Sequence, residues 1–126
     1  MRRSHALAIV AASAAAGLAA PSPALATGYC SPSGDQCYSA KKVNGQVRLQ
    51  YGTFSFRGKL RTCVQAPGGQ NDCRIFTLRV RKGVSSIDVR WSSHFPRRGP
   101  GTYRVRFAGV GVGNQLGRAV TFRVGR

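Results

Sequence analysis

The sequence predicts an all-β protein, a small antiparallel β-sandwich of six to seven strands held by two local disulfides. Three observations carry that expectation. Apolar and polar residues alternate through most of the chain after residue 26, and such alternation gives a strand one apolar and one polar face. Clusters of Gly, Pro and Asn separate the alternating segments, as turns do between short strands. No segment after residue 26 carries the apolar stripe of an amphipathic helix.

The first 26 residues stand apart from this pattern. Arg2 and Arg3 precede an apolar run from Ala6 to Ala20, and Ala24-Leu25-Ala26 follows it. A basic start, a short apolar centre and an A-x-A end are the parts of a secretory signal peptide. We therefore expect residues 1–26 to be cleaved, and residues 27–126, starting at Thr27, to form a single secreted domain. The run is mostly alanine and shorter than the roughly 20 strongly apolar residues of a bilayer span, so no transmembrane segment is expected after cleavage. Ser4, His5 and Ala6 match the twin-arginine export pattern poorly. Bulky Tyr29 before Cys30 argues against a lipid anchor. With no sorting tail before Gly125-Arg126, the product is expected to be extracellular, released or held by non-covalent contacts.

The strand candidates follow in order. Val47-Arg48-Leu49-Gln50-Tyr51 alternates, as does Phe54-Ser55-Phe56-Arg57. Parity slips between Tyr51 and Phe54, and Val47 to Cys63 is too long for one ordinary strand, so a turn or bulge is expected at Gly52-Thr53. Phe76-Thr77-Leu78-Arg79-Val80-Arg81 and Ile87-Asp88-Val89-Arg90-Trp91 continue the pattern. Tyr103-Arg104-Val105-Arg106-Phe107 and Val120-Thr121-Phe122-Arg123-Val124 complete it. Turn residues lie between them at Pro67-Gly68-Gly69, Lys82-Gly83, Arg97 to Gly101 and Gly111 to Asn114.

Four cysteines, Cys30, Cys37, Cys63 and Cys73, fit an oxidising compartment. They allow three pairings. Cys30–Cys37 with Cys63–Cys73 is favoured, because the second pair brackets the Ala66-Pro67-Gly68-Gly69 turn signal. Parity agrees: Cys63 falls with Arg57, Lys59 and Arg61, and Cys73 with Arg79 and Arg81, so both sulfurs share one hairpin face. The Cys-x6-Cys and Cys-x9-Cys spacings do not match the short Cys pairs of zinc sites, and no metal is expected.

The segment Gly101 to Phe107, then Gly113-Asn114, then Val120 to Val124, resembles the last two strands of bacterial immunoglobulin-like domains. The resemblance covers about the last forty residues. It implies an Ig-like sandwich with Tyr103 as a tyrosine corner and Trp91 in the core. It implies little about function, since that architecture hosts many. The Cys63/Cys73 spacing and the Gly113-Asn114 turn are also similar to the neocarzinostatin family of secreted chromophore carriers. That family places its other disulfide late in the chain and is usually acidic, and this chain departs from it on both points.

Catalytic constellations are scarce. Cleavage leaves His94 as the single histidine, beside Ser92 and Ser93 and six residues after Asp88. Sequence neighbours at a strand end do not readily point at each other, and there is no G-x-S-x-G elbow. His94 is therefore expected to be a surface residue in a loop before Pro96. The only acids are Asp35, Asp72 and Asp88, with no glutamate. Asp35 and Asp72 fall in turn-like segments where Asp bonds its own backbone, and Asp88 is expected to pair with a neighbouring arginine. Three such residues make neither a glycosidase pair nor a calcium site. Gly109-x-Gly111-x-Gly113 precedes strand pattern, whereas a dinucleotide fingerprint opens a helix. The expectation is no enzyme, no catalytic residue and no cofactor.

What remains is charge. The chain has 20 Lys and Arg against three Asp, a formal net charge of +17. Arg48, Arg57, Lys59, Arg61, Arg79, Arg81, Arg90, Arg104, Arg106 and Arg123 alternate onto polar strand faces, and Arg97 and Arg98 lie in a turn. A GC-rich genome accounts for Arg in place of Lys, but not for the scarcity of Asp, which GC-rich codons also encode. Guanidinium groups bind phosphate, sulfate and carboxylate in bidentate fashion. The expected polyanion-binding residues are Arg57, Lys59, Arg61, Arg79, Arg81, Arg97, Arg98, Arg104, Arg106 and Arg123, and the expected partner is an acidic cell-envelope polymer. Nucleic acid is disfavoured in vivo, because the chain is exported and its aromatics alternate inward rather than offering stacking platforms. Phe95, beside Pro96-Arg97-Arg98, is the exception: it could touch lipid or protein, and could equally belong to a packed loop. The alternative function is a protein-interaction or inhibitor module acting through the Cys63–Cys73 hairpin or the Phe95–Pro100 loop. A third is a cationic antimicrobial factor. Oligomeric state is not legible in the sequence.

Overall fold

The computed structural model describes residues 27–111 and 115–126. Residues 1–26, expected to be a signal peptide, and Gly113-Asn114, expected to be a turn, lie outside the described residues. Nine strands and one short helix occur among them. The strands are β1 (Gly28–Cys30), β2 (Gln36–Val43), β3 (Gln46–Thr53), β4 (Lys59–Gln65), β5 (Asn71–Thr77), β6 (Arg79–Arg81), β7 (Val84–Arg90), β8 (Gly101–Gly109) and β9 (Gln115–Val124). The helix α1 is the single turn Trp91–His94.

All pairings are antiparallel. The strands form two sheets, one ordered β1-β2-β3-β7-β6 and the other β5-β4-β8-β9. The all-β, two-sheet, two-disulfide expectation is met. Nine strands exceed the expected six to seven because β1 and β2 precede the first expected strand and the expected Phe76–Arg81 strand divides into β5 and β6.

Two hairpins turn on the same device. Asn44 (φ 51°) with Gly45 (φ 78°), and Lys82 (φ 50°) with Gly83 (φ 79°), have positive φ at both central positions. That is the backbone of the two-residue loop that matches strand twist, and it sets the registers Val43↔Gln46 and Arg81↔Val84. Gly101 (φ 133°) opens β8 against Pro67, whose Cγ would lie 2.7 Å from a Cβ placed there. No side chain fits that approach.

Several boundaries differ from expectation. β3 runs through Gly52 to Thr53, and Phe54–Arg57 is a loop rather than a strand. The expected turn therefore falls a few residues later, and Phe54 is 66% exposed instead of facing inward. Phe76 to Arg81 is not one strand: the chain passes from β5 in one sheet to β6 in the other at buried Leu78. Trp91 does not continue β7 but opens α1, with its ring still in the core.

The core sits between the sheets in two aromatic groups. Phe107 of one sheet lies 5.0 Å from Tyr38 and 5.4 Å from Tyr51 of the other, ring centre to ring centre. At the opposite end Trp91 meets Tyr103 and Phe122 edge-on, each at 5.1 Å, and those two rings stack on each other. The Tyr103 hydroxyl donates to the Gly99 carbonyl at 2.6 Å and accepts from the Arg98 N–H at 2.9 Å. It closes the loop ahead of β8. Tyr38 donates to the Arg118 carbonyl at 2.7 Å and so ties β2 to β9 across the sandwich. Burial pushes both the Tyr38 and Tyr51 hydroxyls up to about 12.

Candidate functional site

The disulfides are Cys30–Cys37 and Cys63–Cys73, as favoured from the turn signal and parity. In both, the bonded cysteines are direct cross-strand partners. The second bond lies on the outer face of the β5-β4-β8-β9 sheet, among basic residues.

Strand pairing determines which cations meet there. β4 presents Lys59, Arg61, Cys63 and Gln65 outward, while Leu60, Thr62 and Val64 are buried. β8 lies beside it with Arg104 opposite Gln65, Arg106 opposite Cys63 and Ala108 opposite Arg61. Paired residues share a face, so Arg61, Arg104 and Arg106 surround the Cys63 sulfur. Together with Gln65 and Asn71 they line a shallow cleft of about 480 Å³. No acidic side chain lines it. Arg123 joins the same face beyond β8, opposite Thr102, and Lys59 extends it at the other end.

The remaining expected residues lie elsewhere. Arg79 and Arg81 stand on β6, in the other sheet. Arg57 is exposed in the loop before β4. Arg97 donates to the Gly125 carbonyl. Arg98 forms a two-point pair with Asp72, Nε to Oδ2 at 2.8 Å and Nη2 to Oδ1 at 3.0 Å. The ten residues are thus not one surface. Five share the outer face around the Cys63–Cys73 bond, and Arg98 already holds a carboxylate.

A larger depression, about 690 Å³, lies on the outer face of the other sheet, along Cys30–Cys37, Ser39, Gln50, Gly52, Ser86 and Asp88. It is floored by small residues, and its one carboxylate is occupied. Asp88 accepts from Arg48 Nε at 2.7 Å and from Gln50 Nε2 at 3.2 Å. That ion pair was expected from alternation. Burial works to raise the Asp88 carboxyl, and the two hydrogen bonds and neighbouring cations outweigh it and hold the group below its usual range. The smaller cleft is the better anion site, because its cations face no acid.

Asp72 does not cap its own turn as expected. It lies in β5 and holds Arg98. The Arg98 hydrogen bond lowers the Asp72 carboxyl below its ordinary value. A carboxyl with a depressed folded pKa stabilises the fold above its unfolded pKa and loses that contribution as pH falls through the folded one. Asp72→Asn should therefore lower stability near neutral pH and flatten the loss below about pH 4. Urea melts of both proteins across that range check it. An unchanged acid profile would mean that the pair contributes nothing.

His94 is exposed on α1 with its ring edge-on to Phe76 at 5.1 Å. Both Asp88 oxygens are engaged by Arg48 and Gln50. Phe95, for which an outward contact and a packed loop were equally open, takes the packed form: it is only 4% exposed and packs near Phe76 in the core. The Phe95–Pro100 loop thus loses its apolar residue to the fold. Sequence reasoning passed over Arg118, whose guanidinium lies 5.8 Å over the Tyr29 ring. No group of His, Cys and Asp able to hold a metal occurs among the described residues.

No family model, no curated protein and no solved structure matches the chain.

Proposed function

We propose that residues 27–126 form a secreted, non-catalytic binding domain that holds anionic cell-envelope polymers on the outer face of the β5-β4-β8-β9 sheet. The observation that carries this is the acid-free cleft in which Arg61, Arg104 and Arg106 converge. Such a cluster offers several bidentate sites to successive phosphates, sulfates or carboxylates along a polymer. The net charge of residues 27–126, the full chain's +17 less the two charges of Arg2 and Arg3, adds long-range attraction. Secretion is supported by two disulfides. No described helix is long and apolar enough to cross a membrane. The order β2-β3-β7-β6 facing β5-β4-β8-β9, with the Tyr103 hydroxyl closing onto Gly99, supports an immunoglobulin-like sandwich.

The test is a salt titration of binding to teichoic acid, an acidic polysaccharide and heparin, beside an unrelated basic protein of matched charge. One envelope polymer should bind more tightly than the control does and keep part of that binding at high salt. The triple variant Arg61→Gln, Arg104→Gln, Arg106→Gln should bind it about tenfold or more weakly and with a shallower salt slope. Binding that merely tracks the control, or a triple variant equal to the parent, would refute the proposal.

A further inference from the structure

The passage of the chain from one sheet to the other at Leu78 leaves a gap. β6 pairs with β7 only over Val84–Ser86. Beyond Ser86, β7 pairs with β3 alone, up to Arg90. The chain that would have continued beside Ile87–Arg90 is β5, which pairs with β4 in the opposite sheet. Among the described residues, both β5 and this part of β7 therefore show an unpaired edge. Alternate residues of an antiparallel strand point their N–H and C=O groups to a given side, so Ile87–Arg90 carries backbone donors and acceptors facing the gap.

The gap is a groove of about 440 Å³ between Phe76 and Thr77 on one wall and Ile87 to Val89 on the other. Phe76 and Val89 are half-buried and give it an apolar floor. Arg79 and Arg81 stand on its rim. Arg74 and Arg90 are exposed at its ends, and Lys82 follows Arg81 at the β6–β7 turn. The His94 ring packs edge-on against Phe76 from α1. Asp88 is the one acid, and its oxygens are held by Arg48 and Gln50. Sheet edges that proteins leave open are usually protected by charge or covered. Here the flanking charge is predominantly positive, with Asp88 already paired to Arg48, so it repels a second copy of this chain and favours an acidic strand.

We propose that the open β7 edge between β6 and β5 takes up an extended acidic peptide segment by strand addition. The backbone of the segment pairs with Ile87–Arg90, its apolar side chains meet Phe76 and Val89, and its carboxylates reach Arg79 and Arg81. This mode of recognition draws affinity from main-chain hydrogen bonds and specificity from alternate side chains. It does not depend on the arginine cleft on the other sheet.

The probe is a labelled synthetic peptide of alternating glutamate and valine. Controls are the same peptide N-methylated at alternate residues, and polyglutamate. Binding is read by fluorescence anisotropy, and its place by amide hydrogen exchange. The alternating peptide should bind and slow exchange at Ile87–Arg90. N-methylation should abolish both effects. Arg79→Glu with Arg81→Glu should weaken binding about tenfold or more, while the Arg61, Arg104, Arg106 triple variant should bind the peptide as the parent does. Equal binding by the N-methylated peptide or by polyglutamate would reduce the effect to bulk charge and overturn the proposal. So would an absence of binding, or protection located elsewhere. Protection of the same amides by the protein itself at high concentration would identify a second copy as the occupant, and the acidic-peptide assignment would fall.

Discussion

Phe107→Ala should destabilise the domain by about 3–5 kcal/mol, the usual cost of emptying a buried phenylalanine site. Phe107 is 2% exposed and spans the two sheets, reaching Tyr38 and Tyr51 from the opposite layer. Those tyrosines are large, and Tyr38 is tied to the Arg118 carbonyl, so the surroundings collapse poorly into the void. In a domain of this size the loss corresponds to a fall in Tm of roughly 15–30 °C, a large share of the 5–15 kcal/mol typical of total stability. Thermal and urea unfolding followed by circular dichroism measure it. Phe54→Ala is the control: that ring is 66% exposed and its loss should change stability by no more than about 0.5 kcal/mol. Equal effects of the two substitutions would mean that the sheets do not close over Phe107 as described.

Replacing Cys63 and Cys73 together by alanine should cost about 3 kcal/mol in the chain-entropy treatment of a loop this short. The bond closes a sequence separation of 10. The Cys30–Cys37 pair, with a separation of 7, should give a loss within about 0.5 kcal/mol of it on entropy alone. The two sites differ in what else holds the strand. β5 is an edge strand attached through β4 alone, whereas β1 is only three residues long. Loss of the Cys63–Cys73 bond should therefore also speed amide exchange along Asn71–Thr77. Denaturant midpoints of the two double-alanine variants, with exchange rates in β5, test this. A Cys63/Cys73 variant as stable as the parent would show that the Pro67-Gly68-Gly69 turn and the β4–β5 ladder hold the hairpin unaided.

Alternation and turn chemistry made much of the molecule legible. Tyr103-Arg104-Val105-Arg106-Phe107 reads as one strand because each residue type suits the face it occupies, and β8 has that composition and those faces. The Cys63–Cys73 pairing followed from a turn signal and from parity, both local properties. β2 was missed. Gln36–Val43 ends in two lysines and an exposed valine, so its alternation fades. The Asn44-Gly45 dipeptide, a strong two-residue hairpin signal, was the clue that marked it. Phe54 was misplaced and Phe95 was left open between two sides, for one reason. Periodicity assigns a side to a residue but does not say whether another element covers that side.

The candidate site divides along the same line. Which residues are basic, which alternate outward, and that acids are too few to neutralise them are properties of the chain taken alone. Charge and period-two pattern survive any arrangement of the strands. That β4 lies beside β8, bringing Arg61, Arg104 and Arg106 around one cleft, is a long-range pairing. So are the capture of Arg98 by Asp72 and the crossing at Leu78 that opens an edge on β7. These depend on strand order, which is settled by how the two apolar faces close over Tyr38, Tyr51, Trp91, Phe107 and Phe122. Local sequence specifies the faces, and only the packed sandwich decides which of them become neighbours.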